Sequence, residues 1–262
     1  MDSLVLKFSY STQLILLFLI STFLFSQEKN NDREEILFVG NSFTFFWNLP
    51  SIVEKMANER NLDWNVVQST ASGASLKQHW FEKKKLTTKQ LILNNTFSKV
   101  IFQDNSKYPI VAIDTTKKYH SKFKELASSG TETYIYSTWM YPKIENKSRD
   151  LLEQNIVEKN LIESGIAELS KLVLVGKAFD KFKLKHPKYN LLAEDFKHQN
   201  PNGTYLAACV IFSTLSNQSS IGLSNRYYGR DNNGKKIYYI LIDSTVAKKC
   251  QEISDSVVFN SY

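Results

Sequence analysis

The sequence predicts a single α/β domain in which a central, mostly parallel sheet of five strands is covered by helices on both faces. Short apolar runs recur along the chain, and longer segments with the apolar spacing of amphipathic helices separate them. The runs are nearly continuously apolar, which is typical of strands buried on both faces of a parallel sheet. No internal repeat or low-complexity linker interrupts the chain, and its 42% hydrophobic content suffices for one sizeable core.

Five apolar runs are the predicted strands. They are EILFVG (35–40), WNVVQS (64–69), KVIFQD (99–104), TYIYST (133–138) and KLVLVG (171–176). Helices are predicted between and after them, at 50–60, 116–127, 150–169, 201–215 and 244–258. Asn200 and Pro201 suit the cap and first position of the fourth helix, and the sequence GRDNNGKK within 217–242 predicts a turn between short extended pieces.

The N-terminal residues have the layout of a secretory signal peptide. Lys7 precedes an apolar run at 14–25, and Ser26 marks the change to a polar stretch. We therefore expect cleavage near Ser26, a folded domain over 27–262, and a secreted or periplasmic protein. The run is short for a membrane span, which needs about 20 residues, so no stable membrane insertion is expected after cleavage. An uncleaved N-terminal anchor is the alternative.

The formal net charge of +7 favours acidic polysaccharides or anionic surfaces as partners through long-range attraction. The lysines are scattered, and the run at 83–85 is typical of a solvated helix face. No nucleic-acid motif is present, so no nucleic-acid partner is expected. Cys209 lies in an apolar run and Cys250 near the C-terminus, so either a disulfide after export or buried free thiols fit the sequence.

Ligands of open parallel sheets bind beyond the carboxyl ends of the strands, so the residues after each predicted strand are candidate site residues. The first strand leads into Gly40-Asn41-Ser42, where the Ser42 hydroxyl suits a nucleophile at a sharp turn, although such serines are also ordinary turn residues. The second glycine of the G-x-S-x-G elbow is missing, which argues against the α/β-hydrolase class. After the second strand, Gly73 either presents its N–H to an oxyanion or only permits the turn.

Two further segments complete the candidate site. The third strand leads into Gln103-Asp104-Asn105, where the Asn105 amide, or alternatively that of Gln103, is a candidate oxyanion donor. Near the C-terminus, Asp195 precedes His198 by three residues, so its carboxylate can reach Nδ1 and leave Nε2 free to accept a serine proton. A surface salt bridge is the ordinary alternative for such a pair.

In order and spacing these four segments resemble the blocks of the SGNH (GDSL-like) hydrolase superfamily. The resemblance is greatest to a bacterial branch whose first block reads Gly-Asn-Ser-Phe-Thr and whose last reads Asp-Gly-x-His-Pro followed by Gly-Thr-Tyr-Leu-Ala-Ala. The present chain has GNSFT at 40–44 and DFKHQNPNGTYLAAC at 195–209. It departs at Asn41, where an aspartate is more usual, at the proline displaced to 201, and at the third block, QDNS, which lacks the Gly-x-Asn-Asp form.

The resemblance implies a flavodoxin-like, three-layer α/β/α fold and ester hydrolysis through an acyl-serine intermediate. In that scheme Ser42 is the nucleophile, His198 its base and Asp195 the acid that orients the imidazole. The backbone N–H groups of Ser42 and Gly73 and the side-chain amide of Asn105 would bind the oxyanion.

Aromatic residues crowd the predicted rim of the site, and such rings stack on sugars. These residues are Phe43, Phe45, Phe46, Trp47, Trp80, Tyr108, Trp139 and Tyr141. We expect a carbohydrate acetylesterase whose substrate contacts include His79, Trp80 and Trp139, although core packing or a helix surface would also account for these three. The histidines outside the candidate site, His79, His120 and His186, lack zinc-site spacing, so neither a metal nor a cofactor is expected.

Two other functions remain open. The enzyme could act on lipid or aryl esters with the same chemistry, or the chain could be a non-catalytic, carbohydrate-binding relative. The presence of nucleophile, base and acid together argues against the second alternative. The expected partner is a small-molecule or polysaccharide ester, and the sequence carries no signal for the oligomeric state.

Overall fold

The computed structural model describes residues 33–141 and 156–259, which lie in one unit, Arg33–Tyr262. The predicted signal peptide, 1–26, and the first part of the predicted helix 150–169 lie outside the described residues. In the part of the chain that is described, no helix is both long and apolar enough to cross a bilayer.

The central sheet is the predicted one, with five parallel strands. They are β1 (Glu34–Gly40), β2 (Trp64–Thr70), β3 (Lys99–Phe102), β4 (Glu132–Tyr136) and β5 (Lys171–Val173). Their order across the sheet is β2-β1-β3-β4-β5, and every neighbouring pair is parallel. The carboxyl ends of β1, β2 and β3 therefore lie side by side, and they carry the candidate segments around Ser42, Gly73 and Asn105.

Helices cover both faces of the sheet. In chain order they are α1 (Ser42–Phe45), α2 (Leu49–Glu59), α3 (Leu76–Trp80), α4 (Thr88–Asn94), α5 (Tyr108–Val111), α6 (Ile113–Leu126), α7 (Ile156–Glu163), α8 (Ile166–Leu169), α9 (Val175–Lys185), α10 (Pro201–Ser216) and α11 (Ser244–Val258). Ile36 and Phe38 of β1 pack in one core with α2, α9, α10 and α11, whereas Leu37 and Val39 pack in a second core with α3, α4, α6 and α7. This alternation confirms the three-layer α/β/α architecture.

Helix α10 is buried on nearly every side and follows the His198 segment directly. The side chain of Asn200 accepts a hydrogen bond from the N–H of Gly203, and Pro201 occupies the first position, as predicted. A Cβ at Gly203 would lie 2.2 Å from the carbonyl oxygen of Leu191, so only glycine permits this close approach. The His198 segment is thus anchored to the core at its C-terminal end.

The predicted extended pieces within 217–242 form an antiparallel hairpin of β6 (Arg226–Arg230) and β7 (Lys236–Leu241). A turn that begins at Asp231 joins the two strands, and the Asp231 carboxylate accepts hydrogen bonds from the N–H groups of Asn233 and Lys235. The cysteines, Cys209 and Cys250, are buried free thiols.

Several predicted elements differ from the structure. The strands predicted at 99–104 and 133–138 end two residues earlier, at Phe102 and Tyr136. The strand predicted at 171–176 ends at Val173, because Val175 begins α9, in which Gly176 approaches Thr138 so closely that a Cβ would lie 2.4 Å from its carbonyl oxygen. The described part of the helix predicted at 150–169 is divided at Gly165, whose φ is +78°. The lysine run at 83–85 is a short 3-10 turn rather than a helix face.

Candidate active site

Ser42 lies at the sharp turn between β1 and α1. Asn41 caps α1 by accepting a hydrogen bond from the N–H of Phe43 at 3.1 Å, and Ser42 is the first helical residue. A Cβ at Gly40 would lie 2.3 Å from Oγ1 of Thr44, so glycine is required where the chain turns. The Ser42 hydroxyl lies 2.8 Å from Nε2 of His198, although the two residues are 156 positions apart.

His198 is oriented by Asp195. The Asp195 Oδ2 atom lies 2.5 Å from His198 Nδ1, and its Oδ1 accepts hydrogen bonds from the N–H groups of Lys197 and His198. Burial opposes ionisation of the carboxyl, but the hydrogen bonds from the His198 ring and from the two N–H groups outweigh it and lower the pKa of Asp195 to about 2. An ionised carboxylate holds the proton on Nδ1, so Nε2 presents its lone pair to Ser42.

Side chains from other elements fix the position of the His198 segment. The Trp139 indole donates to the carbonyl oxygen of Lys197 at 3.0 Å, and the Trp47 indole donates to that of Gln199 at 2.9 Å. The Gln199 side chain in turn donates to the carbonyl oxygen of Phe43 at 3.2 Å, next to Ser42. Sequence analysis missed Gln199 and the positioning role of Trp47, because neither contact leaves a trace in residue spacing.

The predicted substrate contact at Trp139 is wrong. The Trp139 side chain is only 2% exposed, stacks on Phe179 with 4.1 Å between ring centroids, and packs against Phe43 at 4.8 Å. Its ring is covered by core side chains, and its N–H donates a hydrogen bond to the Lys197 backbone. Trp139 therefore positions the His198 segment from within the core.

The predicted substrate contact at His79 is also wrong. The imidazole is fully buried, with Nε2 3.0 Å from the carbonyl oxygen of Gly40 and Nδ1 2.6 Å from Oγ1 of Thr88. Because a carbonyl only accepts, Nε2 carries the proton and Nδ1 accepts from the Thr88 hydroxyl. Trp80 packs its ring edge-on against Phe123 of α6.

The two candidate oxyanion loops are tied to the Ser42 turn by one side chain. The Asn41 amide donates to the carbonyl oxygen of Ala74 at 2.9 Å and to that of Asp104 at 3.3 Å. Gly73 adopts a φ of +61°, which favours glycine. Within residues 33–141 and 156–259, the N–H groups of Ser42 and Gly73 have no protein acceptor, so both can donate to a ligand.

The third candidate donor is Asn105 rather than Gln103. Gln103 is fully buried, and its Oε1 accepts from the N–H of Asn41 and the hydroxyl of Thr44, both at 3.0 Å, while its amide contacts the carbonyl oxygen of Asp104. Asn105 is partly exposed. Its Oδ1 accepts from the N–H of Lys107, and its Nδ2 donates to the carbonyl oxygen of Gly73 at 3.3 Å. Among the described residues this is the single acceptor of the Asn105 Nδ2 group, so its second N–H can donate to a ligand.

Asp104 is a buried carboxylate that sequence analysis did not assign. Oδ1 accepts from the N–H groups of Leu76 and Asn105 at 2.8 and 2.7 Å, and Oδ2 accepts from the hydroxyl of Thr116 at 2.7 Å. Burial raises its pKa, and the three hydrogen bonds oppose that effect. Asp104 therefore joins the Gly73 loop to the Asn105 loop. The sequence signal that could have identified Asp104 is its position as a carboxylate directly after a buried strand.

The chain is similar to known proteins in structure. No family model matches its sequence, and no curated protein matches it. A proposed SGNH hydrolase from Slackia heliotrinireducens superposes with a TM-score of 0.56 at 21% identity, covering 70% of this chain and 100% of that one. A member of the lipolytic G-D-S-L family from Veillonella parvula gives 0.52 at 15% identity, with coverage of 71% and 100%. The described chain has the SGNH hydrolase fold.

A DUF4886 family protein from Bacteroides uniformis superposes with a TM-score of 0.66 at 14% identity, covering 88% of this chain and 97% of that one. The match therefore extends beyond the part of the chain that the two hydrolase structures cover.

In this SGNH fold, aromatic rings frame the serine and the histidine. The Phe46 ring centroid lies 4.4 Å from that of His198, and the Phe43 ring centroid lies 5.4 Å from it. Trp47 and Phe196 are 47% and 64% exposed, so the rim offers apolar surface to a substrate. Among the described residues, no three His, Cys, Asp or Glu side chains converge as metal ligands.

Proposed function

We propose that this protein is an exported serine carboxylester hydrolase that removes acetyl groups from a carbohydrate through an acyl-serine intermediate. The observation that carries the proposal is the hydrogen-bonded chain from the Ser42 hydroxyl through the His198 imidazole to the Asp195 carboxylate, with distances of 2.8 and 2.5 Å. These are the contacts that acid–base activation of a serine requires.

In acylation, Ser42 Oγ bonds to the ester carbonyl carbon while its proton passes to His198 Nε2. The carbonyl electron pair moves to oxygen and gives a tetrahedral oxyanion. When this intermediate collapses, the bond to the alcohol oxygen breaks, and the leaving alcohol takes the proton from Nε2. Asp195 stays ionised throughout and stabilises the imidazolium, in keeping with its lowered pKa.

In deacylation, a water molecule replaces the alcohol. Its oxygen bonds to the acyl carbon while one of its protons passes to His198 Nε2, and a second oxyanion forms. Collapse breaks the bond to Ser42 Oγ, which recovers the proton, and the carboxylic acid leaves.

The N–H groups of Ser42 and Gly73 and the free N–H of Asn105 are the proposed oxyanion donors. Their support is that the two backbone groups have no acceptor within the described residues and that Asn41 and Asp104 hold both loops beside the Ser42 turn. Loss of one such donor is expected to lower turnover roughly 10²- to 10³-fold.

Two features support a carbohydrate acetyl ester as the substrate: the aromatic rim of the site and the signal-peptide pattern at the N-terminus. Exposed Trp47 offers a ring on which a sugar can stack, and the signal-peptide pattern at 1–26 would deliver the enzyme to external polysaccharides. Similar proteins include one named as a member of the lipolytic G-D-S-L family, so longer acyl chains belong in the test.

The first experiment compares hydrolysis of 4-nitrophenyl acetate by the protein and by its Ser42→Ala variant. We expect loss of roughly 10⁴-fold or more in turnover. The control, Ser72→Ala, removes an exposed hydroxyl from the neighbouring loop and should leave turnover unchanged. Equal rates for protein and Ser42→Ala would refute a serine mechanism.

A second experiment identifies the substrate. Release of acetate from acetylated polysaccharides is compared with hydrolysis of 4-nitrophenyl esters of increasing acyl length. Rates that rise with acyl length, without acetate release from any polysaccharide, would favour a lipid esterase. A folded protein that binds glycans but hydrolyses nothing above the Ser42→Ala background would be a binding module.

A further inference from the structure

The β6–β7 hairpin has an outer face built from cations and tyrosines. Its inner face is closed by Tyr227, which is 6% exposed and donates its hydroxyl to Glu59 of α2, and by Ile240, which is 4% exposed. The outer residues alternate with these along the strands and are exposed. They are Arg226, Tyr228, Arg230, Lys236 and Tyr238.

A β-bulge brings the two tyrosines together. The register pairs Tyr227 with Ile240 but Tyr228 with Tyr238, so Tyr239 is an extra residue on β7. Without the bulge, Tyr228 would face Tyr239 instead. The bulge thus aligns Tyr238 with Tyr228, and their ring centroids lie 5.9 Å apart. The Lys236 ammonium contacts both rings, with Nζ 3.9 Å from the Tyr228 centroid and 5.4 Å from that of Tyr238.

The cations of this face are Arg226, Arg230 and Lys236. Within the described ranges, none of the three forms an ion pair with a carboxylate. Asp231, the only acidic residue of 226–241, accepts hydrogen bonds from its own turn. Alternate strand residues are about 7 Å apart, so the face presents positive charges at regular intervals between aromatic rings.

We propose that this face binds an anionic polysaccharide, the polymer whose esters the Ser42 site would cleave. Carboxylate or sulfate groups of the polymer pair with the three cations, and the C–H faces of its sugars pack on Tyr228 and Tyr238. The choice of polymer rests on the proposed function, since a carboxylic ester on a repeating anionic chain is typical of acylated acidic glycans and absent from nucleic acids.

The position of the hairpin supports this assignment. Strand β7 packs against the 3-10 turn Phe46–Asn48, which carries Phe46 beside His198 and the exposed Trp47. Aromatic surface therefore continues from the catalytic histidine toward the hairpin. A polymer bound on the hairpin would be held close to the serine, which raises its local concentration there.

Two other occupants fit the face less well. A second copy of the chain, related by a two-fold axis, would bring the same cations against one another. Insertion into a bilayer would bury the Lys236 ammonium, because it lies against both of the rings that would enter the lipid.

The test measures binding of the protein to polygalacturonate by affinity electrophoresis, with dextran as the neutral polymer. We expect retardation by polygalacturonate that weakens with salt, and a dissociation constant roughly ten-fold higher for the triple variant Arg226→Gln, Arg230→Gln, Lys236→Gln. The control variant Lys183→Gln, Lys185→Gln, Lys248→Gln removes the same charge from other exposed positions and should change the constant less than about two-fold.

The tyrosines are tested separately. Tyr228→Ala with Tyr238→Ala should weaken binding that persists at high salt, whereas Tyr228→Phe with Tyr238→Phe should retain it, because stacking needs the ring and not the hydroxyl. Hydrolysis of 4-nitrophenyl acetate should be the same in all of these variants, since none alters the Ser42 site.

Four results would overturn the proposal: no retardation by polygalacturonate, equal weakening by both triple variants, tighter binding to poly(U) or to phosphatidylglycerol vesicles than to polygalacturonate, or a dimer that the hairpin variant dissociates. Failure of the proposed function is distinguishable, because binding needs no turnover. Hairpin-dependent retardation by a protein without esterase activity would sustain the binding face and reject the hydrolase.

Discussion

At the scale of single residues, the contact between Ser42 and His198 is held from both sides by a tryptophan that is only 2% exposed. Trp139 donates to the carbonyl oxygen of Lys197, the residue before His198, and its ring lies between Phe43 and Phe179. The same side chain thus contacts α1, which carries Ser42, and the segment that carries His198. Trp139 therefore helps to fix the positions of both residues of the 2.8 Å contact between Ser42 and His198.

Replacing Trp139 with phenylalanine keeps most of the stacking and removes the N–H. We expect turnover to fall about ten-fold with KM nearly unchanged, because His198 is less well placed while substrate contacts persist. The free energy of unfolding should fall by about 1 kcal/mol, the usual value of one hydrogen bond. Steady-state kinetics and urea unfolding measure the two effects.

Trp64→Phe is the matched control for this prediction. It makes the same change in a buried tryptophan whose indole N–H donates to Glu34 at the amino end of the sheet, opposite to the end that carries Ser42. Its turnover should equal that of the unaltered protein. A Trp139→Phe variant with full turnover would show that the indole N–H does not position the histidine.

At the scale of elements, the site is the meeting point of three strand ends, and Asn41 joins them. Its Nδ2 donates to carbonyl oxygens in the loops after β2 and β3, and its Oδ1 caps α1 after β1. The fold's more usual aspartate could accept the capping hydrogen bond but could not donate the other two. In this chain the amide is therefore required by its surroundings.

Asn41→Asp tests this requirement. The variant loses two donors and sets a carboxylate against two carbonyl oxygens, so we expect the free energy of unfolding to fall by about 2–3 kcal/mol. Turnover should fall by at least about ten-fold, because the Gly73 and Asn105 loops are released from the Ser42 turn.

Asn232→Asp, in the exposed hairpin turn, introduces the same charge without a buried partner and should change neither quantity. If Asn41→Asp were as stable and active as the Asn232→Asp control, the bridging role would be excluded.

The sequence predicted the strands and the order of their loops because apolar runs and turn residues are local signals. It predicted β5 three residues too long, although Val175, Ala178, Phe179 and Phe182 already had the spacing of a helix. Motifs in the sequence predicted Ser42, Asp195 and His198 as site residues, and the structure places these three side chains in hydrogen-bonding contact. The contacts of Trp139, Gln199 and Asp104 could not be predicted, because only tertiary packing decides which carbonyl or N–H group each of them meets.

At the scale of the whole molecule, two buried histidines lead us to expect that stability depends on pH. His120 of α6 is fully buried, and neither ring nitrogen has a hydrogen-bond partner in the described part of the chain. Burial, with a smaller contribution from the charge of Lys124, lowers the pKa of His120 to about 4. Burial likewise lowers the pKa of His79 to about 4, against the opposing hydrogen bond to Gly40.

Linkage between proton binding and folding gives the direction in which stability changes with pH. A histidine whose pKa is lowered from 6.5 to about 4 on folding takes up its proton first in the unfolded chain as the pH falls. Its contribution to stability is therefore complete above pH 6.5 and is lost between pH 6.5 and about pH 4. Each such histidine accounts for about 3 kcal/mol of acid destabilisation over that window.

His120→Leu should remove one of these contributions. We expect its free energy of unfolding, measured by urea titration, to fall less steeply than that of the unaltered protein between pH 6.5 and about pH 4, by up to about 1.4 kcal/mol per pH unit. The raised pKa of Asp104 acts in the opposite direction, so the difference between variants isolates the histidine. His186 is partly exposed, so desolvation lowers its pKa less strongly than that of His120, and His186→Gln should reduce the slope less than His120→Leu does. Identical slopes for His120→Leu and the unaltered protein would mean that His120 keeps an ordinary pKa despite its burial.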